Sequence, residues 1–234
     1  MSTLQEKIAS NDFLKIVCVG DIQTAQTYGK PGWTDWLQRS LWENGDVRTS
    51  WRRKVINSGI DRATPRHVST YFREYIGHYK PDIVLLSFGV SPMFPSFEEK
   101  QFLADMNSLL DMIQKEKITT ILWSPYPLLT GLNREISLTL GALYKQLSVS
   151  QDCQFIDVQH EFDDIELAKI MTYTVVTKND LFGFEVGKPD VVTLNEAGNY
   201  IVARKISRDA FGLQLPQTTA GTYFVPNLEL VKRW

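Results

Sequence analysis

Short apolar runs alternate with longer segments of mixed polarity along most of the chain. Most of these runs are rich in Val, Ile and Leu and show little alternation with polar residues, which is typical of strands buried on both faces. The runs lie at 14–19, 54–57, 83–88, 118–123 and 155–158. The pattern predicts five strands of a mostly parallel sheet.

The segments between these runs carry apolar residues at helical spacing and predict amphipathic helices at 33–42, 64–79, 97–115, 133–148 and 195–211. The second helix opens with Thr64 and Pro65, an N-cap residue followed by proline at the first helical position. The third has Glu99 in its first turn and Lys115 at its end, which suits the helix dipole. Alternating strands and helices predict a three-layer α/β/α fold with helices on both faces of the sheet.

Candidate chemistry is expected where the strands end, because open parallel sheets bind ligands beyond the carboxyl ends of their strands. Four short motifs occupy such places or precede the last predicted helix. They read Gly20-Asp21-Ile22, Asn57-Ser58-Gly59, Gly89-Val90-Ser91-Pro92 and Asp190-Val191-Val192-Thr193. The last is followed directly by Leu194-Asn195-Glu196-Ala197-Gly198.

Taken in order, these motifs resemble the SGNH (GDSL-type) hydrolase family over about residues 14–211. The resemblance implies a flavodoxin-like sheet of five parallel strands between helices. It implies that the backbone N–H of Gly59 and the side chain at position 91 correspond to the family's oxyanion-hole donors. It also implies that Asp190 corresponds to the acid of the family's catalytic triad.

Three positions depart from the family's chemistry. Ile22 stands where the family has its nucleophilic serine, and an isoleucine side chain has no lone pair with which to attack a carbonyl. Thr193 stands at the general-base histidine, and a threonine hydroxyl cannot exchange a proton near neutral pH as imidazole can. Ser91 replaces the oxyanion-hole asparagine. We therefore expect no catalytic residues in the degenerate site of Asp21, Ile22, Gly59, Ser91, Asp190 and Thr193.

The sequence accordingly predicts a catalytically inactive SGNH-hydrolase-like domain with a binding or structural and assembly role. An alternative is an esterase or acylhydrolase, deacetylase-like, acting on acylated glycans or small esters through a relocated constellation. That constellation would draw on Asp21, Asp190 and either His67 or His160. For Asp21, capping the turn is the favoured interpretation and acting as a carboxylate nucleophile the other. A third hypothesis is a small-molecule-binding flavodoxin-like module unrelated to these hydrolases.

Aromatic residues near the strand ends are the candidate ligand contacts of the predicted cleft. Aromatic rings stack on sugar faces, but they also pack protein cores. The residues predicted to bind a glycan on this ground are Trp33, Phe94, Trp123 and Tyr126.

The net charge and the composition limit the classes of binding partner that we expect for this chain. The formal net charge of -2 and a pI near 6.0 give no electrostatic case for nucleic acid or an anionic membrane. No stretch approaches the roughly 20 apolar residues of a membrane span, and the first residues lack the apolar core of a secretory signal. We expect no cofactor and no metal ion. The expected location is cytoplasmic by default, or within a larger particle such as a virion.

The C-terminal segment differs in character from the rest of the chain. Beyond position 212 it contains proline, threonine and glycine and has no helical period. The sequence therefore predicts an α/β domain over 1–212 and an extended arm over 213–234. The arm either packs on its own domain or docks on a neighbouring chain, which would make a protein partner or self-association its role.

Overall fold

The computed structural model describes residues 13–25, 31–45, 48–90, 97–129, 131–171, 186–188, 192–215, 229 and 232. Within them, five parallel strands form one sheet in the order β2-β1-β3-β4-β5. The strands are β1 (Leu14–Gly20), β2 (Arg53–Asn57), β3 (Ile83–Ser87), β4 (Thr119–Trp123) and β5 (Gln154–Ile156). The predicted five-stranded parallel, flavodoxin-like α/β fold is confirmed.

Helices fill the connections between the strands. They are α1 (Ile22–Ala25), α2 (Trp33–Glu43), α3 (Pro65–Thr70), α4 (Phe72–Tyr75), α5 (Glu99–Lys115), α6 (Gly131–Ser150) and α7 (Glu196–Phe211). Short 3₁₀ turns lie at Ser50–Arg52, Gly77–Tyr79, Gln159–Phe162 and Leu167–Ile170. The one-turn helix α1 was not predicted, because four residues carry no readable period.

The sheet separates two apolar cores. Consecutive side chains of a strand point to opposite faces, so β1 contributes Leu14, Ile16 and Cys18 to one core and Val17 and Val19 to the other. Helices α2 and α7 cover the first face, and α3, α5 and α6 cover the second. Both faces of β1 are therefore buried, which explains why its sequence is a nearly continuous apolar run.

The single helix predicted over 64–79 is wrong, because the segment breaks into α3, α4 and a 3₁₀ turn. The hydroxyls of Ser69 and Thr70 donate to carbonyl oxygens four residues back, at 2.9 Å in each case. Such bonds compete with the helical pattern and bend helices. The helix ends at Tyr71, whose ψ of 36° is not helical. His67 and His78 consequently do not lie on one continuous helix.

The outer edge of β2 is covered by one side chain of α2. The amide of Gln38 donates from Nε2 to the carbonyl oxygen of Arg53 (2.9 Å) and accepts at Oε1 from the N–H of Val55 (2.8 Å). These are the two bonds that a neighbouring strand would make. Gln38 thus occupies an edge that could otherwise pair with another chain.

The chain remains in the domain for three residues beyond the predicted boundary at 212. Gly212 ends α7 with a left-handed φ of 66°, and Leu213 and Leu215 are buried in the first core. Farther on, Lys232 forms an antiparallel bridge with Ile165 of the same chain. None of the described helices is long and apolar enough to cross a membrane.

Candidate functional site

The first motif forms a tight turn at the carboxyl end of β1. Gly20 lies opposite Ser87 of β3, and a Cβ atom at position 20 would stand 2.0 Å from the Ser87 carbonyl oxygen. No side chain fits in that space, so glycine is required for the two strands to end side by side. The turn that follows is thereby held at the centre of the sheet edge.

Asp21 is fully buried and links this turn to the one after β3. Its Oδ2 atom accepts the backbone N–H groups of Gly89 (2.8 Å) and Val90 (2.6 Å), and its Oδ1 atom accepts that of Gln23 (3.1 Å). A carboxylate held in this way fixes loops and is poorly placed to attack a substrate. The geometry therefore supports the turn-capping interpretation over a carboxylate nucleophile.

Ile22, which the resemblance places at the nucleophile position, is the first residue of α1. Its side chain is half-buried and packs against the first core. The hydroxyl nearest along the chain belongs to Thr24, which is fully buried against Gly20, 2.5 Å from where a Cβ on that glycine would lie. At position 22 the structure thus places an apolar side chain in contact with the first core.

The second motif is held by hydrogen bonds of its own Asn57 side chain. Its Asn57 side chain accepts the N–H of Gly59 at Oδ1 (2.9 Å) and donates from Nδ2 to the carbonyl oxygen of Thr24 (2.8 Å). The backbone N–H implied as an oxyanion donor thus already has an acceptor within its own motif. Ser58 is also engaged, because its hydroxyl donates to the carbonyl oxygen of Tyr75 (2.8 Å).

The last motif leads into α7. Thr193 is buried, with 3% of its surface exposed, and the N-cap Asn195 accepts the N–H groups of Ala197 and Gly198. Leu194 packs in the first core behind it. Of the remaining site residues predicted from the sequence, Ser91, Phe94 and Asp190 lie outside the described residues.

The two histidines named for a relocated base are exposed and have partners outside the Asp21 turn. The Nε2 atom of His67 lies 3.3 Å from the hydroxyl of Tyr75. The Nδ1 atom of His160 lies 2.7 Å from Oδ2 of Asp163, and Asp157 is 3.8 Å from the other ring nitrogen. The hydrogen bond to Asp163 is the main cause of a raised pKa at His160.

The predicted ligand-binding rings need correction, because the three that the structure describes are core residues. Trp33 and Trp123 have no exposed surface and pack edge to face, with ring centroids 5.3 Å apart. The indole N–H of Trp33 donates to the carbonyl oxygen of Gln23. Tyr126 is 1% exposed, and its hydroxyl donates to the carbonyl oxygen of Val192. Interior packing explains these rings, and none presents a face to a sugar.

Tyr144 is a supporting residue that sequence reasoning missed. From α6 its hydroxyl accepts the N–H of Phe88 and donates to the carbonyl oxygen of the same residue. Phe88 directly precedes Gly89 and Val90, whose N–H groups hold Asp21. Burial raises the pKa of Tyr144, so the phenol remains protonated. Nothing in an amphipathic helix marks one tyrosine for a contact with a residue 56 positions away.

A cavity of about 290 Å³ lies at the opposite, amino-terminal side of β4 and β5. Cys153 contributes to its wall together with Thr119, Thr120 and Gln154. Burial, with a smaller contribution from Asp152, raises the pKa of Cys153 to about 11. The thiol is therefore protonated near neutral pH and is a weak nucleophile. Among the described residues, no group of three or more His, Cys, Asp or Glu side chains is placed to hold a metal ion.

Comparisons with known proteins agree with this architecture. A catalytic mutant of an acetylxylan esterase from Geobacillus stearothermophilus has a TM-score of 0.65 at 20% identity, covering 85% of this chain and 94% of that one. A second variant of that esterase gives 0.67 at 20% identity, with 88% and 98% covered. An α/β hydrolase from the metagenome of Lake Arreo, Spain, gives 0.63 at 18%, with 84% and 94% covered. At such identities the likeness concerns the fold.

A comparison with curated protein sequences gave no match. The model of the GDSL-like lipase/acylhydrolase family, in contrast, matches residues 18–198. That range starts in β1 and ends in the first turn of α7, so it includes all four motifs and more than half of the chain. The chain therefore belongs to the GDSL-like lipase/acylhydrolase family.

Proposed function

We propose that this family member is a catalytically inactive domain that has exchanged ester hydrolysis for a binding or assembly role. The observation that carries the proposal is Ile22, which packs against the core directly after the Gly20-Asp21 turn. A side chain without a lone pair cannot form an acyl-enzyme, whatever surrounds it.

Magnitudes distinguish a weakened site from an inactive one. Losing the nucleophile or the base of a serine triad costs on the order of 10⁶ in turnover, and these losses overlap because the triad acts as a unit. Oxyanion-hole and binding contacts alone leave roughly 10³–10⁴ over the reaction in water. In this chain even the Gly59 N–H is bonded to Asn57. The remaining contacts therefore support binding much better than turnover.

The alternative function is an esterase or acylhydrolase acting on acylated glycans or small esters. Two observations favour it: the match to a family of acylhydrolases and the fold shared with an acetylxylan esterase. This function needs an activated hydroxyl, thiolate or carboxylate outside position 22. Asp21 is held by three backbone N–H groups, and Cys153 has a raised pKa, so neither is a good candidate.

A fluorophosphonate probe tests for the hydroxyl nucleophile of an esterase, because it forms a stable covalent bond with an activated serine or threonine hydroxyl. The unaltered chain and its I22S/T193H variant would be incubated with the probe and analysed by intact-protein mass spectrometry. We expect no adduct on the unaltered chain. A stoichiometric adduct on that chain, located by peptide mapping, would identify a relocated nucleophile and support the esterase. If an adduct forms on the unaltered chain, the S58A variant is the control that shows whether the adduct lies on the hydroxyl of the second motif.

A further inference from the structure

The cavity at the amino-terminal side of β4 and β5 combines an apolar patch with polar side chains. It lies between the last turns of α5, the first residues of β4 and the turn that joins α6 to β5. Its volume of about 290 Å³ is close to the lower limit of roughly 300 Å³ for small-molecule sites, so only a small ligand fits. Leu110 and Ile118 supply the apolar part of the wall.

The polar part of the wall is rich in hydrogen-bond acceptors. The Nε2 atom of Gln151 donates to Oδ1 of Asn107 (2.8 Å), and that of Gln154 donates to the carbonyl oxygen of Asp209 (2.9 Å). Neither acceptor belongs to the wall. Both glutamines are thus anchored through their amide nitrogens outside the cavity, and each retains an amide oxygen with two lone pairs. A ligand that donates hydrogen bonds suits such a wall.

Among the described residues that line the cavity, Asp152 alone carries a charge. Its negative charge acts on the neighbouring Cys153 thiol, whose pKa it helps to raise. Within the described part of the chain, the Asp152 carboxylate has no hydrogen-bond or ion-pair partner. It is therefore available to a cationic group of a ligand.

The charges near the cavity are paired or nearly balanced. Asp105 pairs with Arg66 (3.2 Å), and Asp209 pairs with Lys205 (2.9 Å). The other Asp, Glu, Lys and Arg residues within six positions of the wall, or bonded to it through their backbone, comprise four acids and three bases. They are Asp82, Asp111, Lys115, Glu116, Lys117, Lys145 and Asp157, and none of them lines the cavity. These surroundings do not reverse the negative charge of Asp152.

The carboxyl end of α6 adds a negative partial charge. This helix has 20 residues and ends at Ser150, directly before the wall residue Gln151. A long helix carries about half an elementary negative charge at its carboxyl end. The last turn of α6 contains no basic residue, whereas the last turn of α5 contains Lys115. The end of α6 therefore strengthens the preference of the cavity for a cation.

We propose that this cavity is a binding site for a small aliphatic amine, whose ammonium group pairs with Asp152 and whose methylene groups cover Leu110 and Ile118. The amide oxygens of Gln151 and Gln154 accept the remaining hydrogen bonds of the ligand. The site lies at the edge of the sheet opposite the Gly20-Asp21 turn, so it stands whether or not the degenerate cleft hydrolyses esters.

The test is isothermal titration of the full chain with three molecules that share a four-carbon chain and a hydroxyl at one end. At the other end, aminobutanol carries an ammonium group, butanediol a second hydroxyl and hydroxybutanoate a carboxylate. We expect aminobutanol to bind at least about tenfold more tightly than butanediol, the size of one hydrogen bond to a charged group. Hydroxybutanoate should bind most weakly, because its carboxylate meets Asp152.

D152N is the decisive variant. Asparagine keeps the side-chain shape and adopts the left-handed backbone of this position (φ 48°) as readily as aspartate does. The variant should weaken aminobutanol binding by about tenfold or more. The matched control is E116Q, at an exposed glutamate that does not line the cavity, and it should bind as the unaltered chain does. Far-UV circular dichroism should show that both variants fold.

Alkylation of Cys153 locates the site independently of Asp152. N-ethylmaleimide is added until mass spectrometry shows one adduct, and the bulky group should then block aminobutanol binding. Cys18, the other cysteine, is fully buried, so C153S treated in the same way should still bind.

No binding of aminobutanol to the unaltered chain overturns the proposal. Equal binding of butanediol and preferential binding of hydroxybutanoate do so as well, because each removes the role of the carboxylate. Binding that D152N leaves unchanged, or that persists after alkylation of Cys153, would place the amine elsewhere on the molecule.

Discussion

The Oδ2 atom of Asp21 lies 2.8 Å from the backbone nitrogen of Gly89. This bond joins the turn after β1 to the turn after β3 at the carboxyl edge of the sheet. It requires the two strands to end side by side, which the missing side chain of Gly20 permits. The Gly20-Asp21 turn thus has a structural role, because its carboxylate holds two turns of the sheet edge together.

The first prediction concerns that carboxylate. D21N keeps the side-chain shape but removes the charge and places an NH2 donor where a carboxylate oxygen now accepts backbone N–H groups. Hydrogen bonds to a charged group contribute about 1.5–3 kcal/mol each, so we expect the free energy of unfolding to fall by about 3 kcal/mol. Chemical denaturation measures it. The control is D61N at an exposed aspartate, where we expect almost no change. Equal effects of the two variants would contradict this structural role.

The sequence was most informative where the signal is local. The apolar runs predicted all five strands, most clearly β1 and β3, which are buried along almost their whole length, and the Gly20-Asp21 turn was recognisable because only glycine fits beside Ser87. Signals that depend on distant partners were not readable. The hydroxyl of Tyr144 meets the backbone of Phe88 only after α6 has packed on the sheet.

Aromatic residues were the least predictable part of the site. Trp33 opens α2 and Trp123 is the last residue of β4, so both lie near the expected site, yet they pack on each other in the core. A tryptophan carries the same signal whether it faces a cleft or the interior, because both environments favour a large apolar ring. The helix predicted over 64–79 is wrong because its apolar spacing continues across the break at Tyr71. The spacing alone therefore does not reveal where the helix ends.

The second prediction concerns Gly59. A Cβ atom at this position would lie 2.3 Å from the backbone nitrogen of Ala25, so G59A must push two turns apart. Overpacking of this kind costs about 1–3 kcal/mol, and here it meets backbone rather than a flexible side chain. G77A is the control, because its Cβ would have ordinary contacts at 3.6 Å or more. Similar unfolding curves for the two variants would contradict close packing at Gly59.

The third prediction concerns the covered edge of β2. Q38A removes both bonds to the strand and exposes the backbone groups of Arg53 and Val55. We expect a loss of about 1–2 kcal/mol in unfolding free energy, one net hydrogen bond or slightly more, and a concentration-dependent rise in sedimentation coefficient. Q101A, which alters an exposed glutamine whose amide donates to Asp105, should change neither. A Q38A protein that sediments as the unaltered chain does at every concentration would remove the edge-covering role.

The fourth prediction concerns pH. Burial favours a higher pKa for Glu161, but hydrogen bonds from Arg208 and Arg204 outweigh burial, and the pKa lies below its ordinary 4.5. A lowered folded pKa stabilises the protein above the unfolded value, and this contribution is lost as the pH falls through the folded pKa. We expect E161Q to cost about 2 kcal/mol near neutral pH. The difference between the two proteins should shrink below about pH 4.

Denaturation at a series of pH values, from about 7 down to about 3, measures this difference. The control is E166Q, whose side chain is 48% exposed and pairs with Lys169 on the surface, where ion pairs contribute little. A gap between E161Q and the unaltered chain that stays constant into acid would show that the carboxylate charge is not its source.

The most direct test of the central claim is hydrolysis of short-chain aryl and acetyl esters by the unaltered chain beside the triple variant I22S/S91N/T193H. We predict that the unaltered chain does not exceed a buffer blank and that the triple variant gains turnover, which is lost again when position 22 is returned to isoleucine. An inactive triple variant beside an inactive natural chain would contradict an intact cleft. Turnover by the unaltered chain that disappears in D190N would contradict the account itself and establish a relocated catalytic site.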